Sequence, residues 1–317
     1  MKKEASSFSS PYPNSGLGVS TAHSISRLLR NHSIKGAGWM RHNFTRWFAG
    51  KPSGPVVTSL EGGIKLVLDP STDKGLESIL YYHGSYELGT LDLISKCINP
   101  GDTFLDAGAN IGLFSIYLSK NCSDIKVCAF EPLMSTYSIL RQNIDINLCD
   151  NIRTFPFALG IAKYKEKIAE NLDMSRGSAS MVKPEGSEFD RREVDVEKLD
   201  DVMVEEQIEN VGVVKIDVEG WEQHVLLGAG KLLRKKDTPI WVIEHNSTQE
   251  SEGTSPSETW EYMLANNEFQ AFKALKGKQI VSPLVPINSV ADLPENDNIF
   301  YFTQSHIDRL PNRCFIE

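Results

Sequence analysis

The sequence predicts an α/β protein built on a mostly parallel sheet with helices on both faces. Three observations point there. Short apolar runs alternate with helical patterns from residue 103 to 265, and strands alternating with helices make parallel sheets covered on both sides. Thr103-Phe-Leu-Asp-Ala-Gly-Ala-Asn-Ile-Gly-Leu-Phe-Ser115 joins a strand to a helix through a glycine turn, which gathers backbone N–H groups at one point and suits an anionic ligand group. A second apolar strand, Lys126 to Phe130, is closed by Glu131, 25 positions after Asp106. An acid there is where a nucleotide ribose has its hydroxyls read.

Taken in order, residues 1–20 are rich in Ser, Pro, Gly and Asn and predict a disordered tail. Residues 21–80 form a basic helical and hairpin extension, and 81–317 the main domain. From Ser24 to Phe48 basic residues interleave with Ile25, Leu28, Leu29, Trp39, Met40, Phe44, Trp47 and Phe48. Two short amphipathic helices, broken at Gly36-Ala37-Gly38, fit this pattern. They pack on the main domain, touch a membrane surface or hold an anionic partner; packing or plain solvation is the blander reading. Val56 to Leu68 reads as a hairpin around Glu61-Gly62-Gly63. Ser85-Tyr86-Glu87 opens a helix over Leu88 to Cys97. Strand 103–106 leads to helix 112–120, strand 126–131 to helix 133–147, and a strand follows near 152–156. Lys163 to Ile168 and Arg192 to Val196 read as strands around a polar loop, 171–187. Val211 to Asp217 is a buried strand before helix 221–235, and Pro239 to Glu244 a strand before the helix Ser257 to Ala265. Phe269 to Ala274 and Asn298 to Phe302 have no helix between them, so they predict an antiparallel edge pair.

Hydrophobic content of 40% and charged content of 24% are those of an ordinary soluble globular protein. The net charge of −9 is uneven. Residues 1–55 hold eight Lys/Arg against Glu4 alone, leaving −16 on the remainder. An acidic body argues against nucleic-acid binding, which needs a basic face for phosphates. Cys97, Cys122, Cys128, Cys149 and Cys314 are scattered, without a C-x-x-C pair, so neither a disulfide framework nor a zinc site is indicated and reduced thiols in a cytoplasmic protein are expected. No signal-peptide core and no run of about 18 apolar residues is present, so no stable membrane insertion is expected. Nothing in the sequence bears on oligomeric state.

In such a sheet the ligand lies beyond the carboxyl ends of the strands. The residues there are Asp106 to Gly112, Glu131, Phe157-Ala158, Asp217 to Gly220 and Glu244 to Asn246. A dinucleotide fingerprint seats pyrophosphate on the helix end. Here Gly108-Ala-Asn-Ile-Gly112 lies beside Asp106, an acid that repels pyrophosphate but suits an amino acid's ammonium. S-adenosyl-L-methionine has an amino acid in that place and a ribose for Glu131, so electrostatics favour it over NAD.

Three stretches sharpen this: Phe104-Leu-Asp-Ala-Gly-Ala-Asn-Ile-Gly-Leu-Phe-Ser115; Ala129-Phe-Glu-Pro132 with the helix ending Asn143-Ile-Asp-Ile-Asn147; and Val214-Lys-Ile-Asp-Val-Glu-Gly-Trp-Glu222 with Val225-Leu-Leu-Gly-Ala229. Ala158-Leu159-Gly160 and Lys198-Leu199-Asp200 add smaller features. Over about 85 to 303 the sequence resembles the FkbM family of S-adenosylmethionine-dependent methyltransferases. The first stretch is shared by many methyltransferases; Lys-Ile-Asp-Val-Glu-Gly is the specific one. The resemblance implies the class I methyltransferase (Rossmann-like) sheet, seven-stranded with an antiparallel last strand. It implies cofactor contacts from Asp106, Gly108, Asn110, Ile111, Gly112, Glu131, Pro132, Ala158 and Asp217. It also allows Glu87 to reach the methionine end, although an acid at a helix N-terminus needs no such role. Family members methylate hydroxyls of sugars and macrolides, and some methylate side-chain amide nitrogen in modified peptides. The expected activity is therefore O-methylation of a sugar or natural-product hydroxyl. The alternatives are N-methylation of Asn side chains in a ribosomally made peptide, with the basic arm recognising an acidic leader, and a non-catalytic cofactor-binding partner protein.

The sulfonium methyl is already activated, so the protein need only align an acceptor and remove its proton. Asp217 ends the fourth parallel strand, Glu219 follows at a helix start, and His245 follows the next strand as a base near neutral pH. Asp217 and Glu219 either hold a divalent metal or substrate hydroxyls, or Glu219 merely caps the helix. No metal ligand set is assigned. Glu244 and His245, with Ser178 and Ser180 in the polar loop, are the candidate acceptor contacts; His224 reads as structural.

Overall fold

Period-two burial in the strands sets the architecture, because each strand sends alternate residues to opposite faces. The computed structural model describes residues 10–30, 36–170, 190–246, 256–311 and 314–315. Helices α1 (Leu17–Arg30) and α2 (Ala37–Ala49) come first, then the antiparallel hairpin β1 (Val56–Ser59) and β2 (Lys65–Leu68), and helices α3 (Leu76–His83) and α4 (Leu88–Cys97). The alternating part follows: β3 (Thr103–Ala107), α5 (Leu113–Asn121), β4 (Lys126–Phe130), α6 (Met134–Asn147) and β5 (Ile152–Phe155). A small side sheet comprises β6 (Ala158–Gly160), β7 (Tyr164–Glu170) and β8 (Asp190–Lys198). The chain returns through α7 (Leu199–Glu205), β9 (Val211–Ile216), α8 (Glu222–Gly228), α9 (Gly230–Leu233), β10 (Ile240–Asn246) and α10 (Pro256–Asn266), and finishes with β11 (Gln270–Ala274), β12 (Leu284–Ile287), β13 (Asn296–Phe302) and α11 (Gln304–Arg309).

The central sheet runs β12-β11-β13-β10-β9-β3-β4-β5. Strands β10, β9, β3, β4 and β5 are parallel, and β13 pairs antiparallel with both β10 and β11. The expected antiparallel closing pair is therefore present. The sheet has eight strands where seven were expected. The additional β12 lies at the edge, where Pro286 is tolerated because no neighbour needs its missing N–H. Helix 221–235 is two short helices, α8 and α9, meeting at Ala229. The N-terminal order also extends further than composition suggests: α1 starts at Leu17, inside the stretch read as a tail, and Val57 N–H donates to the Pro13 carbonyl at 2.8 Å.

One face of the sheet buries Phe104, Val127, Val213, Val242, Phe300 and Phe302 against Leu91, Ile94, Ile116 and Leu140 of α4, α5 and α6. The other buries Leu105, Val214, Ile216, Trp241, Ile243 and Tyr301 against α8 and α9. The hairpin is tied to the first layer by two buried asparagines of α6. Asn143 Oδ1 accepts from Val67 N–H at 2.7 Å while its Nδ2 donates to the Ile111 carbonyl at 2.8 Å. Asn147 Oδ1 accepts from Lys65 N–H at 2.9 Å. Asn143 thus links the hairpin to the glycine turn. Replacing it with Leu leaves one N–H and one C=O buried without partners, at about 1–3 kcal/mol each. Asn143→Leu is expected to lower unfolding stability by about 2–6 kcal/mol in urea titration; a loss under 1 kcal/mol would mean that water or a shifted backbone replaces both bonds.

Candidate active site

The carboxyl ends of β3, β9 and β10 place a row of polar residues on one face. In register, Asp106 of β3 lies beside Lys215 of β9, which lies beside Val242 of β10. Asp217 and Glu244, each two residues further along, project from that same face. Two clefts meet above this row. One, of about 610 Å³, is lined by Phe130, Glu131, Pro132, Leu133, Phe157 and Ala158 among others. The second, of about 620 Å³, is lined by Tyr86, Asp106, Phe114, Lys215 and Glu244. Gly108, Asn110, Asp217 and Glu219 border both.

The turn after β3 is shaped by its backbone. Gly108 has φ +82°, and a Cβ there would sit 1.9 Å from the Asp217 carbonyl oxygen, so only glycine lets the two loops touch. Asn110 is left-handed at φ 50°, and its Oδ1 accepts from Ile111 N–H. Glu131 Oε2 accepts from Asn110 N–H at 3.1 Å and Oε1 from Leu133 N–H at 3.0 Å, which fixes the carboxylate at the cleft wall. Asp106 Oδ2 accepts from Ser115 Oγ at 2.6 Å, while Oδ1 is buried and has no hydrogen-bond partner. Burial pushes the Asp106 carboxyl up, against the pull of Lys215 and Ser115.

Two lysines hold the remaining carboxylates. Lys215, fully buried, donates to Asp217 Oδ2 at 2.7 Å and lies 4.5 Å from the Phe114 ring centroid. Burial alone would neutralise it, but Asp217, Asp106 and Glu87 raise its pKa to about 12, so it stays charged. Lys278, in the turn between β11 and β12, bridges Glu244 Oε1 at 2.7 Å and Glu87 Oε1 at 3.2 Å. Glu87 also accepts from Asn298 Nδ2 at 2.7 Å. Burial and the neighbouring Asp217 charge push the Glu244 carboxyl well above its ordinary range. Burial opposes ionisation of Asp217 as well, yet Lys215 wins and holds it low. The two acids are thus driven apart, Glu244 binding a proton more tightly than Asp217. Glu87, Asp217 and Glu244 each offer an oxygen within 4.8 Å of the others, a spacing that suits a divalent cation. The Lys278 and Lys215 ammoniums already bridge these three acids.

Against the sequence expectations, Asp106, Gly108, Asn110, Glu131, Pro132, Ala158, Asp217, Glu219 and Glu244 all line the clefts. Ile111 points into the core, and Gly112 accommodates the close approach of Leu140 and Ile116, so neither lines a cleft. Glu87 is buried, lines neither cleft and pairs with Lys278. His245 faces the opposite side of the sheet from Glu244, is buried, and has its pKa lowered to about 4 by that burial. It borders neither cleft, because the strand runs on to Asn246 and a one-residue step reverses the face. Ser178 and Ser180 lie outside the described residues. His224 stacks on Trp221 at 3.6 Å. Lys215 and Lys278 were not among the sequence candidates. Lys215 had a signal, being a lysine in an apolar strand two positions before an acid; Lys278 had none, because its partners are 191 and 34 residues away in sequence.

The Asp217–Glu222 loop is held by Glu222, whose Oε1 accepts from Val218 and Gly220 N–H at 3.1 Å each. Burial pushes this carboxyl up to about 7, with Asp217 adding to the effect and the N–H donors opposing it. The unfolded chain ionises near 4.5 and the folded one near 7, so the unfolded state loses its proton first and stability falls as pH rises through that window. Glu222→Gln keeps the acceptor and removes the titration. The stability of the variant relative to the wild type is expected to rise by about 3 kcal/mol from pH 4.5 to 7 in urea unfolding; parallel curves would contradict this.

The family model described as the methyltransferase FkbM domain matches residues 106–272. Methyltransferase sdnD of Sordaria araneosa is 27% identical over 211 residues, covering 57% of this chain and 75% of the relative. Methyltransferase 1 of Beauveria bassiana (strain ARSEF 2860) is 27% identical over 161 residues, covering 43% of this chain and 63% of that protein. The 31-O-demethyl-FK506 methyltransferase FkbM of Streptomyces tacrolimicus is 29% identical over 163 residues, covering 41% and 60%. The match thus spans just under two thirds of the length of the last two relatives. The family match takes in just over half of the chain and contains Asp106, Glu131, Asp217 and Glu244, so the chain belongs to the FkbM methyltransferase family.

Proposed function

We propose that the chain transfers the methyl group of S-adenosyl-L-methionine to a hydroxyl of a sugar or natural product. The observation that carries this is the charge imbalance on the site floor. Four carboxylates, Glu87, Asp106, Asp217 and Glu244, face two ammoniums, Lys215 and Lys278, and Asp106 Oδ1 is buried without a partner. An uncompensated buried acid is costly unless a cation completes it. An amino acid's ammonium fits Asp106, and the second cleft gives it room. In the first cleft Glu131 suits ribose hydroxyls, and Phe130, Leu133 and Phe157 form an apolar slot for a purine. The relative whose name states an O-demethyl substrate supports a hydroxyl acceptor.

When bound, the cofactor supplies an electrophilic sulfonium methyl. The chain's residues then have three tasks. Asp106 and Glu131 orient the two ends of the cofactor. The apolar walls exclude water. The Asp217–Glu244 pair takes up the proton that the acceptor hydroxyl loses, its charge kept in place by Lys215 and Lys278. Glu219, left-handed at φ 53° on the rim between the clefts, is positioned to contact the acceptor. The lysine bridges make a metal ion unnecessary for holding the carboxylates together.

Asp106→Asn keeps the shape and removes the charge; cofactor affinity by calorimetry is expected to fall about 10- to 100-fold. An unchanged Kd would remove Asp106 from the cofactor site. Glu244→Gln is expected to leave cofactor Kd within about threefold but to lower turnover by about 10²–10⁴ with labelled cofactor and a responsive hydroxyl acceptor. In the wild type the rate should fall, as pH drops, at a higher pH than for an ordinary glutamate, since Glu244 binds its proton more tightly. Label recovered on peptide Asn and on no hydroxyl acceptor would reject the O-methyl reading. EDTA is expected to leave turnover unchanged; a loss restored by Mg²⁺ or Mn²⁺ would place an ion among Glu87, Asp217 and Glu244.

A further inference from the structure

Away from the site, α2 presents a face that the fold does not use. Thr45 is buried, while Trp39 and Trp47 are 69% and 75% exposed. They are eight residues apart, about two helical turns, and so lie on one stripe. Phe44 and Phe48 flank them, both exposed. Beside this stripe opens a cavity of about 910 Å³ whose charged lining is Arg46, Lys51 and Lys74, with the hydroxyls of Ser71 and Ser78. Arg46 lies over the Tyr82 ring at 4.8 Å. Among the described residues none of the three cations has an ion-pair partner.

The nearby acids are turned inward. Asp73 and Glu77 are buried, Glu77 accepts from Asp69 N–H, and Asp73 accepts from Glu77 N–H. Asp69 accepts from Ser71 N–H at 3.2 Å. No acid lines the cavity, and from Ala5 to Leu60 the sequence contains no Asp or Glu. The rest of the molecule is strongly acidic, so this surface is a local cationic exception.

From this geometry we infer that the α2 face and the Arg46–Lys51–Lys74 cavity dock the protein on an anionic phospholipid surface. Tryptophans beside Arg and Lys are the composition of an interfacial helix: the rings enter the headgroup boundary and the cations meet the phosphates. The cavity takes a headgroup phosphate through Arg46, Lys51 and Lys74, with the serine hydroxyls as added donors. The contact is peripheral, since no helix among the described residues is long and apolar enough to cross a membrane. Helix α3 forms a wall between the two regions: Ser78 and Tyr82 line the cationic cavity, and Leu76 lines the cleft that holds Asp106 and Glu244. Docking would therefore bring the candidate active site close to the membrane plane.

The test is flotation of the full chain with large vesicles of phosphatidylcholine alone or with 30% phosphatidylglycerol, read with Trp fluorescence. Binding and a blue shift are expected only with phosphatidylglycerol, and to weaken steeply with salt. Lys51→Glu/Lys74→Glu and Trp39→Ser/Trp47→Ser are each expected to reduce the bound fraction about tenfold or more, with unchanged circular dichroism and cofactor affinity. Equal binding to both vesicle types, or no binding to either, overturns the proposal. So does full competition by millimolar inorganic phosphate or glycerophosphate, which would make the cavity an ion site only. Displacement from vesicles by a short poly-glutamate peptide at a concentration that binds the chain in solution would instead assign the face to an acidic protein partner.

Discussion

The ion pair between Lys215 and Asp217 is the interaction on which the site depends. A lysine with essentially no exposed side chain needs a partner, and Asp217 meets it at 2.7 Å. At that distance, with an effective dielectric near 20, the attraction is about 6 kcal/mol, comparable with the several kcal/mol needed to desolvate each ion. The pair is thus close to neutral for folding, and its value lies in specificity. It fixes Asp217 at the junction of two clefts and carries positive charge between Asp106 and Asp217. Without it, the carboxylates on this face would repel one another and neutralise by taking up protons. Lys278 does the same on the other side, joining Glu87 of the α4 cap to Glu244 of β10. The acidic floor is stable because two lysines reach it from different parts of the chain.

The N-terminal extension is bound into this arrangement. The β1–β2 hairpin is bonded through Asn143 and Asn147 of α6, and Asn143 also holds the carbonyl of Ile111 in the turn proposed to cradle the cofactor. His23 Nε2 lies 2.9 Å from the Tyr81 carbonyl, and Tyr81 Oη donates to the Ala49 carbonyl at 3.2 Å, so α1 and α2 are pinned to α3. The division between extension and main domain near residue 80, natural from composition, corresponds to no gap in packing. Composition registers charge and turn residues, whereas these ties are single polar contacts between distant positions.

The same distinction explains what was legible at the site. Local pattern revealed β3, its glycine turn, Glu131 and the end of β9, since strand, turn and acid follow within a few residues of each other. It revealed Glu244 for the same reason. It failed at His245, where the facing depends on the phase of an alternation that β10 continues two residues beyond the expected end. It failed at β12, a four-residue edge strand containing a proline. Lys278 was beyond reach, because only tertiary folding brings the β11–β12 turn under α4.

Contact between the β3 and β9 loops adds a constraint that side-chain chemistry alone would not suggest. A Cβ on Gly108 would collide with the Asp217 backbone, so the turn proposed to cradle the cofactor and the loop proposed to carry the proton acceptor are in direct steric contact. Three non-glycine residues at these ends, Glu87, Asn110 and Glu219, are left-handed, a conformation costing of order 1 kcal/mol or more each for residues other than glycine. Such strain persists where surrounding contacts over-determine it. Here Gln279 Oε1 accepts from Glu87 N–H, Glu131 accepts from Asn110 N–H, and Glu222 braces the backbone on both sides of Glu219. Each strained residue is secured by a neighbour from the same polar network. The carboxylates therefore cannot be repositioned separately: moving the turn moves Asp217, and moving Asp217 moves Lys215 and with it the charge balance around Asp106.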